Sequence, residues 1–161
     1  MSVDFYNTYI LPYAAILYKL CRAYTHTEQD FEDYYQEVCL QIWKSRERFQ
    51  EQSAWSTWVY RITLNVCLSL QRKEKRVPAT DGLLPEDVTT NSYAFRNEEL
   101  ELLYAAIHKL REVDRALILL YLEEKSHAEI AEILGTNANN IGVRLARIKE
   151  RLKKLLDGYV N

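Results

Sequence analysis

Apolar residues recur three and four positions apart through most of the chain, which is the period of an amphipathic helix rather than of a strand. In the first half this spacing predicts three helices, at about 4–24, 28–47 and 54–76. Pro12 lies inside the first and is expected to kink it or to mark its true start. The T-E-Q-D sequence from Thr27 is typical of a capping box, and Val77-Pro78 is expected to end the third helix.

Two of these helices carry an apolar stripe that predicts a buried face. In the second helix the stripe consists of Phe31, Tyr34, Tyr35, Val38 and Ile42. In the third it consists of Trp55, Val59, Ile62, Val66 and Leu70. The adjacent face of the third helix carries Arg61, Asn65, Leu68, Arg72 and Arg76, and a basic tail follows Leu70. This face is therefore a candidate for contact with an anionic partner.

The helical period is lost over residues 77–97, where Pro78, Gly82, Pro85 and a Thr-Thr-Asn-Ser run predict a flexible linker. It resumes in four further helices, predicted at 98–111, 114–124, 126–134 and 137–156. With only four glycines and three prolines in 161 residues, turn-dense sandwiches and barrels are disfavoured. The expected fold class is therefore all-α, with two small helical domains at 1–76 and 98–161.

Composition and motifs point away from an enzyme. The chain is 48% apolar and 27% charged, which suits a folded protein, and it carries no P-loop, G-x-G-x-x-G, H-E-x-x-H or G-x-S-x-G motif. The three cysteines and three histidines form no ligand cluster, and each histidine is interpreted as a surface or cap residue. We expect no catalytic residue, metal site or cofactor. Without a signal peptide or membrane span, a cytoplasmic location is expected.

A helix-turn-helix is predicted between Ser126 and Leu156. Ser126 and Glu129 match a capping box, and Gly135 can take the positive φ that a sharp turn needs. The second helix has an apolar seam beside a basic stripe of Asn140, Arg144, Arg147, Arg151 and Lys154. Asn and Arg side chains match base edges in the major groove, so DNA binding is predicted. For Lys153 and Lys154, the preference of cations for helix C-termini is an equal explanation.

The formal net charge is only −2, but acidic and basic residues lie in separate segments of the chain. Residues 61–76 and 137–156 are basic, whereas an acidic run of Glu28, Asp30, Glu32, Asp33 and Glu37 has no cation within it. The acidic run either complements a helix N-terminus or docks a basic protein partner. Near the first basic helix, Phe49, Trp55, Trp58 and Tyr60 could stack exposed bases. Trp55 is expected in the core, and Trp58 either there or at the surface.

These segments together resemble a known family. The sequence D-F-E-D-Y-Y-Q-E-V-C-L-Q-I-W at 30–43, then W-S-T-W-V-Y-R-I-T-L-N at 55–65 and Q-R-K-E-K-R, resembles region 2 of bacterial group 4 sigma factors, the extracytoplasmic-function (ECF) type. The stretch from Leu110 through S-H-A-E-I-A-E-I-L-G to R-L-A-R-I-K-E-R-L is similar to their region 4. The resemblance implies a sigma factor that binds core RNA polymerase and directs promoter-specific initiation, recognising two DNA elements and assisting strand opening.

The resemblance also implies roles for individual residues. Core polymerase binding falls on Asp33, Gln36 and Glu37. Contact with the minus-ten element falls on Arg61, Asn65, Arg72, Lys73 and Arg76, and loop 48–54 corresponds to the segment that captures a flipped base. Contact with the minus-thirty-five element falls on Ser126, Asn139, Asn140, Arg144 and Arg147. Gly142 and Asn140 stand where the family usually has Lys and Thr.

The resemblance also implies partners, and the residues themselves leave two alternative functions open. The expected partners are core RNA polymerase, promoter DNA and an anti-sigma factor that covers these faces in the free protein. An alternative is a helix-turn-helix regulator that binds DNA without polymerase and uses its N-terminal helices for sensing or dimerisation. A helical adaptor without a DNA-binding role is a third hypothesis, which predicts that Arg144→Ala and Arg147→Ala leave function unchanged.

Overall fold

The structure, a computed structural model, describes residues 1–76 and 97–160. Every regular element in these two ranges is helical, which confirms the all-α prediction. The N-terminal unit, residues 1–76, contains α1 (Ala14–Arg22), α2 (Glu28–Ser45) and α3 (Trp55–Arg76). The C-terminal unit, residues 97–160, contains α4 (Glu98–Ile107), α5 (Glu112–Leu122), α6 (His127–Leu134) and α7 (Ala138–Val160). The predicted linker lies outside the described residues except for Asn97, whose side chain caps α4.

Pro12 interrupts the first predicted helix. The chain before α1 forms an α-helical turn at Val3–Phe5, a π-helical turn at Tyr6–Ile10 and a 3-10 turn at Leu11–Tyr13. Pro12 lies at the start of the 3-10 turn, where its missing N–H leaves no helical hydrogen bond unmade. A regular α-helix therefore begins only at Ala14, and the prediction of one helix over 4–24 holds for its second half alone.

The N-cap bonds of both predicted capping boxes are present. Thr27 Oγ1 accepts a hydrogen bond from Asp30 N at 3.0 Å, and Ser126 Oγ accepts one from Glu129 N at 3.1 Å. Gly135 ends α6 with φ of 75°, a left-handed conformation that costs a side-chain-bearing residue about 1 kcal/mol or more. These side chains fix where α2 and α6 begin and where α6 turns towards α7.

Removing the cap of α6 should destabilise the C-terminal unit. We expect Ser126→Ala to lower the free energy of unfolding by about 1 kcal/mol, because the N–H of Glu129 loses its acceptor. Ser126→Asp is the matched control, since its carboxylate can accept the same bond. Urea unfolding followed by circular dichroism measures both variants, and equal losses would show that the cap contributes no stability.

In α2 three residues of the predicted stripe, Tyr34, Val38 and Ile42, are buried, and the other two, Phe31 and Tyr35, are half-buried against the core. In α3 the prediction is wrong for most of the stripe: only Val59 is buried, and the other four predicted residues are half-buried. The buried face of α3 instead consists of Thr57, Val59, Tyr60, Thr63, Leu64 and Cys67. It is rotated by about 100° from the predicted stripe, at 3.6 residues per turn. The reason is that α3 packs against α1 and α2 on one side and α5 and α6 on another.

In the C-terminal unit, α7 packs along α4, α5 and α6. Its predicted seam is confirmed, with Ile141, Leu145, Ile148 and Leu152 buried. Leu155 is only half-buried. The seam leaves most of the basic stripe in solvent, and only Arg144 of that stripe is half-buried.

The two units pack against each other around Arg115 of α5. Its guanidinium donates to the carbonyl oxygens of His108 at 2.9 Å, Leu110 at 3.2 Å and, across the interface, Ala23 at 3.2 Å. Tyr24 extends the contact by donating its hydroxyl to the Glu112 carbonyl. Burial lowers the pKa of Arg115 from its usual range. The interface is therefore a hydrogen-bonded one built on backbone acceptors rather than an apolar seam alone.

Two histidines meet at this interface and are therefore not isolated, although His26 is at the surface and His108 is the C-cap residue of α4, as the prediction of surface or cap residues has it. The rings of His26 and His108 stack with centroids 4.4 Å apart, and His108 Nε2 lies 3.1 Å from the Arg22 carbonyl oxygen. Burial, and then the charge that His26 can carry and that of Arg115, lower the pKa of His108 to about 3. His108 is therefore neutral in the packed arrangement.

The protein should consequently become less stable as the pH falls. The unfolded chain takes up a proton at His108 below its ordinary pKa of 6.5, whereas the folded chain does so only near 3, so the free energy of unfolding decreases as pH falls. We expect a loss of about 1 kcal/mol between pH 7.5 and 5.5. Urea titrations at the two pH values measure it, with His108→Gln as the control that removes the titrating group. An unchanged pH dependence in His108→Gln would contradict the assignment.

Candidate nucleic-acid and protein interfaces

The acidic residues predicted to bind polymerase lie on the solvent side of α2. Asp33 and Gln36 are exposed and Glu37 is half-exposed, on the helix face opposite Tyr34, Val38 and Ile42. Gln29 Nε2 donates to Asp33 Oδ1 at 2.9 Å, and Gln41 Nε2 donates to Glu37 Oε1 at 2.8 Å. These bonds stay within α2. The carboxylates are thus available to an outside partner, and only the first residues of the acidic run, with Thr27, serve the helix N-terminus.

Sequence reasoning missed Leu40 on the same face. Leu40 is 39% exposed and follows Asp33, Gln36 and Glu37 at helical spacings of seven, four and three. An exposed leucine beside carboxylates and amides is the composition of a protein contact with an apolar centre and a polar rim. The spacing of Leu40 from Glu37 was the signal that could have found it. We name this set the α2 face: Asp33, Gln36, Glu37 and Leu40.

The basic end of α3 is largely free. Asn65, Arg72, Lys73 and Arg76 are exposed, and Lys75 forms an ion pair with Glu112 of the C-terminal unit. Glu74, the one acid in this tail, accepts hydrogen bonds from Tyr34 and Gln71. The positive charge of the tail is therefore only partly compensated within the described residues.

Arg61 differs from the rest of its predicted group. Its Nε donates to the carbonyl oxygen of Glu132 in α6 at 3.1 Å, and Nη2 donates to the same atom. The side chain is half-buried between the two units. The guanidinium group of Arg61 is thus already hydrogen-bonded to α6. In this respect Arg61 differs from the free cations at the end of α3.

Aromatic rings surround loop 48–54. Phe49 lies against Trp55 and Trp58, with centroids 5.1 and 5.4 Å away, and the Trp55 ring also contacts Phe5 and Tyr9. Trp55 Nε1 donates to the Tyr9 carbonyl oxygen at 2.8 Å. Trp55 and Trp58 are both half-buried, so neither is a core residue or a fully exposed one. Part of each indole ring is therefore accessible to solvent next to the loop.

The predicted helix-turn-helix is formed by α6 and α7. Asn139 and Arg147 are exposed on α7, and Asn140 is exposed with its Nδ2 donating to Thr136 Oγ1 at 2.8 Å. Asn137 caps the start of α7, because its Oδ1 accepts from Asn140 N at 2.8 Å. Asn140 is thus held by its own turn, while Asn139 and Arg147 have no such restraint within the described residues. The predicted role of these residues stays a prediction.

Arg144 has a partner that the sequence did not reveal. Its Nη2 lies 3.0 Å from Asp114 Oδ1 in α5, and both side chains are partly buried. An arginine that contacts a base or phosphate must leave this carboxylate or share it. The predicted DNA contact of Arg144 would thus have to displace Asp114, whereas that of Arg147 would not, because Arg147 has no such partner in the described residues.

Gly142 is packed beneath the His127 ring. A Cβ at this position would lie 3.6 Å from His127 Nδ1, an ordinary contact distance. The space is therefore open to a small side chain, and the steric environment does not require glycine there. His127 is exposed at the start of α6.

Two negative observations bound the chemistry. Among residues 1–76 and 97–160 no group of three histidine, cysteine or acidic side chains could hold a metal ion. In the same ranges no helix has the length and apolar character needed to cross a membrane.

Comparison with known sequences places both units in one family. Residues 10–77 match Sigma-70 region 2, and residues 100–152 match Sigma-70, region 4. The ECF RNA polymerase sigma factor SigM of Mycobacterium tuberculosis is 30% identical over 149 residues, which are 90% of this chain and 73% of that protein. The ECF RNA polymerase sigma-E factor of Haemophilus influenzae is 29% identical over 141 residues, or 79% and 75% of the two chains.

Solved structures agree. The sigma factor RpoE of Bartonella quintana, in complex with the anti-sigma factor NepR, superimposes with a TM-score of 0.77 and 25% identity over 97% of this chain and 98% of that one. CnrH, in complex with the cytosolic domain of CnrY, shares the fold with a TM-score of 0.69 over 98% and 90% at 21% identity. The chain belongs to the ECF sigma factors of the sigma-70 family, which act with RNA polymerase in promoter-directed initiation of transcription.

Proposed function

We propose that this sigma factor docks on core RNA polymerase through the α2 face, contacts the minus-ten element with the basic end of α3, and contacts the minus-thirty-five element with α7. The observation that carries the proposal is that the three surfaces lie on separate helices and are exposed together. Asp33, Lys73 and Arg147 are each in solvent. None of the three surfaces covers another, so one protein carries a surface for polymerase and two surfaces for DNA.

The two units must separate for this to happen. The two elements are named for positions about 25 base pairs apart, which is about 85 Å at about 3.4 Å per pair. In the structure Arg61 of α3 hydrogen-bonds α6, so the two DNA-binding units are in direct contact. A compact chain of 161 residues has a radius of gyration of about 15 Å, so as one rigid body it cannot reach both elements. Docking on polymerase would supply the free energy that opens the interface, and Arg61 would then be released to DNA.

The packed arrangement suits a protein held inactive. One solved structure with a similar fold is that of a sigma factor bound to an anti-sigma factor, and the similarity spans both units. An anti-sigma factor that binds both units of this chain would hold Arg61 against α6 and prevent the opening. Strand opening would follow docking, with loop 48–54 and its aromatic rings receiving an unpaired base, as in other base-flipping proteins.

Run-off transcription with core polymerase tests the proposal. A mixture of promoter fragments from the native genome is transcribed with core enzyme alone and with core enzyme plus this protein. New transcripts that begin at defined positions are expected only in the second case. Tight binding of the free protein to an operator, without a stable complex with core enzyme, would instead support the polymerase-independent regulator.

A further inference from the structure

A cavity of about 830 Å³ opens between the start of α5 and one face of α7. Residues 109–114 form one wall, and the other consists of Arg144, Arg147, Ile148 and Arg151. Arg144 and Arg147 are predicted DNA contacts and Arg151 belongs to the same basic stripe, whereas residues 109–114 have no part in the proposed function. The volume is within the range of small-ligand sites in proteins, roughly 300–1,000 Å³.

The cavity is strongly positive. Its cationic side chains are Lys109, Arg111, Arg144, Arg147 and Arg151, and its carboxylates are Glu112 and Asp114. Both carboxylates are already paired, Asp114 with Arg144 and Glu112 with Lys75. The guanidinium groups of Arg111, Arg147 and Arg151 form no ion pair or side-chain hydrogen bond with the part of the chain that the structure describes. Three charges are thus left without an internal counterion.

The start of α5 adds backbone N–H donors, whose partial charge is also positive. Arg111 is its N-cap residue, but its side chain forms no capping bond. The first helical bond runs from Arg115 N to the Arg111 carbonyl oxygen, so the N–H groups of the first turn have no acceptor within the helix. Helix N-termini favour anions. Here the N-terminus of α5, a helix of eleven residues, lies beside three unpaired guanidinium groups at one cavity.

We propose that this cavity binds a phosphate group. Guanidinium forks bind phosphate oxygens in pairs, and exposed N–H groups at a helix start bind the remaining oxygens. The phosphate group can belong to a free ligand that carries several phosphates, or to the backbone of the DNA strand that contacts α7. The second source rests on the proposed function, and the first does not. In either case an occupant would contact Arg147 and so influence how α7 meets DNA.

Calorimetric titration of the full chain with inorganic tripolyphosphate, without polymerase or DNA and at low ionic strength, tests the binding. We compare the wild type with Arg111→Gln/Arg151→Gln, and with Lys153→Gln/Lys154→Gln as the control that removes the same charge from the exposed end of α7. The arginine pair should weaken binding at least about tenfold and the lysine pair less than about twofold. All four side chains are exposed, and melting curves verify that the variants fold.

Two results would overturn the proposal: no binding by the wild type, or equal weakening by the two pairs, which would indicate diffuse charge. A second titration, of duplex DNA into the free protein, separates the sources. If the arginine pair weakens duplex binding and lowers its salt dependence, the phosphate is that of DNA. If it leaves duplex binding unchanged, the ligand is a free polyphosphate. Failure of promoter-dependent transcription with tripolyphosphate binding intact would refute the proposed function alone.

Discussion

Replacing Asp33 and Glu37 together by lysine should lower the affinity of the protein for core RNA polymerase at least about 100-fold, or roughly 2.7 kcal/mol. Both carboxylates are on the α2 face, opposite the buried side of the helix, so the change reverses charge at the proposed interface without touching the core. Their hydrogen bonds run only to Gln29 and Gln41 within α2. Biolayer interferometry with immobilised core enzyme measures the affinity.

The control is Glu32→Lys, which reverses one charge, half the change of the double variant, on the same helix about a quarter-turn from the α2 face. It should change the affinity less than about threefold, because an exposed charge at the rim of an interface contributes little. If Glu32→Lys weakens binding as much as the double variant, the interaction depends on the overall negative charge of α2, and the α2 face has no special role. Leu40→Ala probes the apolar centre of the same face.

Removal of Arg147 should produce the second large effect. We expect Arg147→Ala to weaken binding of the reconstituted holoenzyme to a promoter by about 5- to 150-fold, the range for an arginine that contacts a base. Arg144→Ala should cost less, because Arg144 must first leave Asp114, 3.0 Å away. Asp114→Ala should then strengthen binding, since it removes both the competitor and a negative charge near the DNA.

Lys153→Ala serves as the control for these variants, because Lys153 is exposed beyond the predicted contacts on the same helix. Its effect should be small and equal for promoters with and without a minus-thirty-five sequence. Gel-shift titrations on both kinds of promoter give the comparison. A loss that is the same for Arg147→Ala and Lys153→Ala on both promoters would show that α7 contributes only non-specific charge.

Local signals in the sequence were sufficient for most of the fold. The helical period located the helices, and Thr27, Ser126 and Gly135 identified their boundaries because capping depends on residues only three or four positions apart. The seam of α7 was correct for the same reason, since its neighbours all belong to the same unit. Pro12 was recognised as a disturbance, but whether it kinked or started the helix depended on the packing around it.

The errors concern contacts between distant parts of the chain. The buried face of α3 was misplaced because its neighbours include α5 and α6 from the other unit, and no period within α3 reports on them. His108 meets His26 and the Arg22 carbonyl, more than 80 residues away. The partners of Arg61 and Arg144 are likewise far along the chain, at Glu132 and Asp114. A single sequence shows which chemical groups such residues have, but it does not show which distant residues they contact.

The aromatic cluster at loop 48–54 has a practical consequence. All three tryptophans of the chain, Trp43, Trp55 and Trp58, belong to the N-terminal unit, and the rings of Trp55 and Trp58 are 5.3 Å apart. Indole emission therefore originates from one unit only. The protein carries its own optical probe of the loop: an unpaired base stacked there would quench the signal without any added dye, whereas events confined to the C-terminal unit would leave it constant.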